Sequence, residues 1–263
     1  MTDPADGPES TGRVTAPDGV SIAWHRFGAA RDPLMLAVHG FASTAVITWE
    51  SSGWVRAITA AGRQVVTVDL RGHGSSDAPT DAGAYGTDIL VADLAAVIDA
   101  VAGGPVDYLG YSLGARLGWE LAVQHPERVR SLSLGGLPAS DPLAAFDLAA
   151  ASASLTSGAA VDDPVTRGFL AMIDAVPAND AAALIALAAG VGTSSRPGDA
   201  PTAPVLFVTG ENDEIAADGI TLVDDVPHGR FSSIPGRTHA NTLSARLFKT
   251  TVLDFLAALD TPT

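Results

Sequence analysis

Gly110-Tyr111-Ser112-Leu113-Gly114 stands where an apolar, strand-like run starting at Val106 gives way to the helix-like Ala115-Arg116-Leu117-Gly118-Trp119-Glu120-Leu121-Ala122. A sharp strand-to-helix turn lifts a serine hydroxyl clear of a sheet and leaves the N–H of the following residue pointing at whatever the serine attacks. Gly110 and Gly114 suit so tight a turn because a side chain at either would strike neighbouring backbone. The chemistry this predicts is nucleophilic attack by Ser112 on a carbonyl carbon. A serine hydroxyl is a poor nucleophile at neutral pH and needs a base beside it.

Three further loops offer the remaining parts. Pro33-Leu34-Met35-Leu36-Ala37-Val38 reads as a buried strand running into His39-Gly40-Phe41. Ala203-Pro204-Val205-Leu206-Phe207-Val208-Thr209-Gly210 is a second apolar strand and delivers Glu211-Asn212-Asp213. The stretch 229–236 then leads to Arg237-Thr238-His239. Serine, acid, histidine is one of the chain orders a hydrolytic triad adopts. His239 is the expected base and Asp213 the acid that holds its tautomer, with Glu211, Glu214 and Asp141 as the competing carboxylates. The oxyanion formed during attack needs fixed donors; the backbone N–H groups of Leu113 and Phe41 are the candidates. His39 and His73 read as structural hydrogen-bonders rather than a second base. Tyr111, Trp49, Phe146 and Phe169 are candidate pocket residues, with core packing an equal reading for Trp49 and Trp54.

These motifs, with Asp69-Leu70-Arg71-Gly72-His73-Gly74-Ser75-Ser76-Asp77 and Gln124-His125-Pro126-Glu127-Arg128-Val129, make the chain resemble the α/β-hydrolase superfamily from about Gly12 to the C-terminal helix. The resemblance implies a mostly parallel sheet with helices on both faces, a triad of Ser112, Asp213 and His239, and a helical cap over the site. It implies no cofactor. Within the superfamily, serine rather than aspartate at position 112 counts against haloalkane dehalogenases and epoxide hydrolases. Phe41-Ala42-Ser43 after His39-Gly40 is neither the Gly-Gly-Pro-Gly of proline iminopeptidases nor the Gly-Gly of many lipases.

The elements that must position these groups alternate. Arg13-Val14-Thr15-Ala16 and 20–26 flank Pro17-Asp18-Gly19, a hairpin signal. Strands follow at 64–68 and 129–134, and a helix at 88–101 carries Leu90, Leu94, Val97 and Val101 on one face. In such parallel sheets ligands bind beyond the carboxyl ends of the strands, where all four motif loops fall. The alternation lapses over 137–202, where helices are expected at 142–155, 165–176 and 179–189, the last capped by Asn179. The expected division is a disordered lead over 1–11, a core domain over 12–136 and 203–263, and the cap over 137–202. A final helix bears Leu243, Leu247, Phe248, Val252, Phe255, Leu256 and Leu259.

Composition prunes the function classes. A net charge of −15 argues against nucleic acid, and the absence of cysteine excludes disulfides, thiolate metal sites and a cysteine nucleophile. The six histidines are scattered in no metal-ligand spacing. No run approaches the ~20 apolar residues of a membrane span, and the acidic, Pro-rich start lacks the apolar core of a signal peptide. A cytoplasmic protein binding neither nucleic acid nor membrane is expected, its oligomeric state undetermined. The activity expected is hydrolysis of small apolar carboxylic esters, thioesters or lactones through an acyl-enzyme in a closed apolar pocket. The alternatives are a C–C bond hydrolase of ring-cleavage products, for which the cap supplies only Arg167 and Arg196, a perhydrolase, or a non-catalytic small-ligand-binding protein.

Overall fold

The computed structural model describes residues 7–191 and 199–261. Eight strands form one sheet in the order β1-β2-β4-β3-β5-β6-β7-β8. They are β1 (Ser10–Thr15), β2 (Ser21–Phe27), β3 (Leu34–Val38), β4 (Gln64–Val68), β5 (Val106–Tyr111), β6 (Val129–Gly135), β7 (Val205–Gly210) and β8 (Gly229–Ile234). β1 and β2 run antiparallel, as do β2 and β4, and every other pairing is parallel. The first hairpin turns at Asp18-Gly19, where Gly19 takes φ 91°. Strand β1 begins at Ser10, two residues inside the expected lead, because Ser10 and Thr11 find ladder partners in Arg26 and His25. The lead over 1–6 lies outside the described residues.

Period-two alternation in the inner strands fills both faces with apolar side chains. Leu36, Val38, Val66, Val68 and Phe207 join one core cluster; Met35, Ala37, Val65, Leu206 and Val208 join the other. Against the second face lie α1 (Trp54–Ala60) and the C-terminal helix. Against the first lie α2 (Thr87–Val101), through Leu90, Leu94, Val97 and Val101, and α3 (Leu113–Gln124), through Ala115, Leu117 and Leu121. Strands buried on both faces must be apolar throughout, which is why they read as continuous runs.

Between β6 and β7 the chain forms α4 (Leu148–Ser157), α5 (Pro164–Asp174) and α6 (Ala181–Val191). Their starts differ from the sequence expectation because aspartates set them. Asp147 accepts the N–H of Ala150 (2.9 Å), Asp163 that of Thr166 (2.6 Å), and Asp180 those of Ala182 and Ala183 (2.8 and 3.1 Å). Asn179 is therefore not the cap of α6. Its side chain crosses to the core instead, accepting from Gly74 N (2.9 Å) and donating to the Ser43 carbonyl (3.3 Å).

The final helix is two pieces, α7 (His239–Thr242) and α8 (Arg246–Asp260). Phe248, Val252, Phe255 and Leu256 of α8 seal the second core, whereas Leu247 points out at 49% exposure. Among the described residues no helix is long and apolar enough to cross a membrane.

Candidate active site

β5 and α3 meet at Ser112, whose backbone sits at φ 54°, ψ −116°. A side chain is strained there, at a cost of about 1–3 kcal/mol. The neighbours hold it in place. Ser112 N donates to Gly135 O at 2.8 Å, and the Ser112 carbonyl accepts from Ala115 and Arg116 at 2.9 and 3.1 Å. A Cβ on Gly110 would lie 2.7 Å from Ala115 Cα, and one on Gly114 would collide with the Val38 and His39 backbone. Both glycines are steric requirements of the turn.

Ser112 Oγ lies 3.0 Å from His239 Nε2, and His239 Nδ1 lies 2.9 and 3.0 Å from the two carboxylate oxygens of Asp213. With Nδ1 donating its proton to Asp213, Nε2 carries the lone pair that faces Ser112. The Asp213 side chain is fully buried and also accepts the N–H groups of Ile215 (3.1 Å) and Ala216 (3.0 Å), which fix its plane. The competing carboxylates make other contacts: Glu211 accepts from Gly236 N (2.7 Å) and Asp141 from Leu143 N within its own turn (2.9 Å), while Asp141 and Glu214 both border the cavity.

Phe41 follows His39-Gly40 at the end of β3. Gly40 passes so close to the nucleophile that a Cβ there would stand 3.2 Å from Ser112 Cβ. Among the described residues neither the Phe41 nor the Leu113 N–H donates to a protein acceptor. The next residue, Ala42, takes φ 55°, a left-handed conformation uncommon outside glycine. His39 and His73, both buried, hold backbone. His39 Nε2 accepts from Leu70 N (3.0 Å) and His73 Nε2 from Ala42 N (3.1 Å), while their Nδ1 atoms donate to the Gly40 and Arg71 carbonyls (2.7 and 3.1 Å). Burial lowers the pKa of His39 and drives that of His73 well below the usual imidazole value. Both are neutral, and neither reaches Ser112.

The mouth of the site is a cavity of about 610 Å³, bounded by Ser112 and His239 on the core side and by Phe169, Val165 and Met172 of α5 on the other. Among the described residues, Val165, Met172 and Ile215 line it while keeping 36, 39 and 41% of their surface accessible.

Of the four candidate pocket side chains only Phe169 lines the cavity. Phe146 stands behind it, edge-to-face at 5.9 Å. Trp49 is fully buried in the opposite core, edge-to-face on Trp54. Tyr111 packs under the His239 ring (5.3 Å between centroids), its hydroxyl donating to the His239 carbonyl. Burial, and then Asp213, raise its pKa, which keeps the phenol a donor. For Tyr111 the cause is period two along β5, which turns it away from the side Ser112 faces.

The candidates drawn from the sequence missed Val165, Met172 and Ile215 among the lining residues, and one charged side chain. Arg116 borders the cavity, with one N–H on the Ser140 carbonyl at 3.0 Å and, among the described residues, no carboxylate within 4 Å. Its spacing held the signal, since four residues after Ser112 is one helical turn along the same face. Arg167 instead donates to the Val161 and Asp162 carbonyls (3.2 and 2.8 Å), and Arg196 lies outside the described residues.

Comparison with known proteins agrees with this geometry. Residues 33–154 match the family model described as alpha/beta hydrolase fold. A 2-hydroxymuconate semialdehyde hydrolase of Pseudomonas sp. (strain CF600) is 36% identical over 136 residues, covering 52% of this chain and 46% of that protein. Epoxide hydrolase 4 of Mus musculus is 30% identical over 138 residues, 52% of this chain and 37% of that one. Each match thus spans less than half of the relative's own length. Among solved structures, a hydrolase from Pseudomonas aeruginosa PA01 superposes with TM-score 0.74 at 25% identity, covering 94% of this chain and 98% of that one. A thermophilic esterase from Thermogutta terrifontis, solved with malate bound, superposes with TM-score 0.78 at 18% identity, covering 96% of this chain and all of that one. Strand order, the strained serine turn and these likenesses converge: the chain belongs to the α/β-hydrolase superfamily.

Proposed function

We propose that this protein hydrolyses small carboxylic esters through an acyl-enzyme on Ser112. The observation that carries the reading is the unbroken relay from Asp213 through His239 to Ser112 Oγ at 3.0 Å, opening into an apolar cavity. As Ser112 Oγ attacks the carbonyl carbon, His239 Nε2 takes its proton, and Asp213 stabilises the imidazolium through Nδ1. The Phe41 and Leu113 N–H groups receive the oxyanion. Collapse expels the alcohol, which takes the proton from His239. Water, deprotonated in turn by His239, then releases the acid and restores Ser112.

Turnover of p-nitrophenyl butyrate tests this. Ser112→Ala or His239→Ala should each remove up to about a million-fold of kcat where chemistry limits, and Asp213→Ala less. Wild-type turnover in Ser112→Ala, or no turnover by the wild type on any ester, thioester or lactone, would reject the reading; no turnover of a ring-cleavage product either would leave a ligand-binding protein on the same fold.

A second reading has one specific support. Arg116 gives the pocket a cation that has no carboxylate partner among the described residues, as a carboxylate-bearing substrate of C–C bond hydrolysis requires, and one relative is a 2-hydroxymuconate semialdehyde hydrolase. Assaying a ring-cleavage product beside neutral esters separates the two. Arg116→Met should spare neutral esters, and a loss confined to carboxylate-bearing substrates would favour the second reading. Relatives named as epoxide hydrolases bring no third, because position 112 offers a hydroxyl rather than a carboxylate.

A further inference from the structure

His39 and His73 form a reciprocal brace between two loops, the first running from His39 to Ala45 and the second from Asp69 to Asp77. His39, on the first loop, accepts an N–H from Leu70 on the second; His73, on the second, accepts an N–H from Ala42 on the first. The two rings meet edge-on at 4.9 Å between centroids. Asp69 adds a third tie, accepting from Ala45 N and Ser75 N, both at 2.8 Å. Each imidazole is locked as the Nδ1–H tautomer by a carbonyl, so each Nε2 can only accept. The N–H that His73 holds belongs to Ala42, the residue in the left-handed conformation directly after Phe41.

We propose that His73 is a positioning residue for catalysis. By accepting the Ala42 N–H it holds the Ala42 peptide in its strained conformation, which turns the neighbouring Phe41 N–H towards the oxyanion. Without that acceptor Ala42 relaxes towards negative φ, and the Phe41 N–H rotates away from where the tetrahedral oxygen forms. The proposal rests on the serine-hydrolase reading. An oxyanion donor acts on the transition state far more than on bound substrate, so its displacement lowers kcat while KM changes little.

The test uses the full chain, p-nitrophenyl butyrate as substrate, n-butylboronic acid as tetrahedral mimic and butyrate as ground-state ligand. In the mimic Ser112 Oγ bonds to boron, the serine proton moves to His239, and a boron-bound oxygen occupies the oxyanion site. His73→Leu should lower kcat on the order of ten- to a hundredfold, with KM and butyrate affinity within about twofold. Boronate affinity should weaken by the same factor as kcat/KM. His73→Gln, whose Oε1 replaces the accepting Nε2, should recover much of the loss; His73→Asn, too short to reach Ala42, should not. Equal weakening of boronate and butyrate, unchanged kcat in His73→Leu, or glutamine no better than asparagine would each overturn the proposal. Should the variants fail to fold, the wild type still decides: a through-hydrogen-bond 15N–15N coupling between Ala42 N and His73 Nε2 is required, and its absence refutes the brace. Ser112→Ala with undiminished turnover would instead sink the serine-hydrolase reading, an outcome separate from any of these.

Discussion

Two non-glycine residues among those described adopt positive φ, and both belong to the candidate site: Ser112 at 54° and Ala42, next to Phe41, at 55°. The strain they store has a measurable size. Ser112→Ala and Ser112→Gly both lose the hydroxyl and its contact with His239, but only glycine occupies this backbone region freely. Ser112→Gly should therefore be the more stable of the two by about 1 kcal/mol, after allowing for the extra entropy glycine brings to the unfolded chain. Urea midpoints of the two inactive variants check this, and equal midpoints would mean that the turn stores no strain. The serine itself was legible from Gly110 and Gly114, since the turn tolerates nothing else there. Choosing Asp213 over Glu211 and Glu214 rested on the resemblance, since Gly210-Glu211-Asn212-Asp213 matches the family's pattern. Trp49 was misplaced because an aromatic eight residues beyond Phe41 serves a pocket or a core equally well in sequence. Its fate depends on which side of the sheet the segment 46–50 crosses, a long-range property.

At the level of elements, the sheet was readable because each inner strand is an uninterrupted apolar run, and the insertion because the alternation stops at Gly136. The insertion's helix starts were not readable as drawn. Aspartate and asparagine are equally good caps, and Asn179 follows a different partner, two loops of the core. That partnership predicts a local effect. Asn179→Ala leaves the Gly74 N–H and Ser43 carbonyl without their partner and should cost about 1–2 kcal/mol. The loss should appear mainly as faster hydrogen exchange in α6, with exchange in β3 and β5 unchanged. An acceleration confined to the central strands would contradict the tether. On the proposed ester hydrolysis, the apolar face that Val165, Phe169 and Met172 present to the cavity sets acyl preference. Each buried methylene adds about 0.8 kcal/mol until the cavity is full, so kcat/KM should climb from acetyl to about butyryl or hexanoyl esters and then fall. A continued rise to long-chain emulsified triglycerides would show that the α5 wall does not dictate length.

For the molecule as a whole, three histidines make stability depend on pH, with opposite signs. His39 and His73 are held neutral by burial, so below their ordinary value of 6.5 the unfolded chain takes up protons that the folded chain refuses. Their contribution is present above that value and is lost as pH falls. His25, raised by its 2.8 Å contact with Glu50, works the other way: its contribution is full below 6.5 and fades as pH rises through the raised value. Urea unfolding at pH 7.5 and 5.5 should therefore show a weaker fold in acid, and His25→Gln should steepen the drop. A His25→Gln variant with a shallower acid limb would contradict this sign. The placement of the four tryptophans carries a further, optical consequence. Trp24 lies on β2, Trp49 and Trp54 on the far side of the sheet, and Trp119 beside Phe207; none borders the cavity. Intrinsic emission is thus a reporter of global unfolding that stays dark to occupancy of the site. A tryptophan introduced at Met172 would give the cavity the fluorophore it lacks.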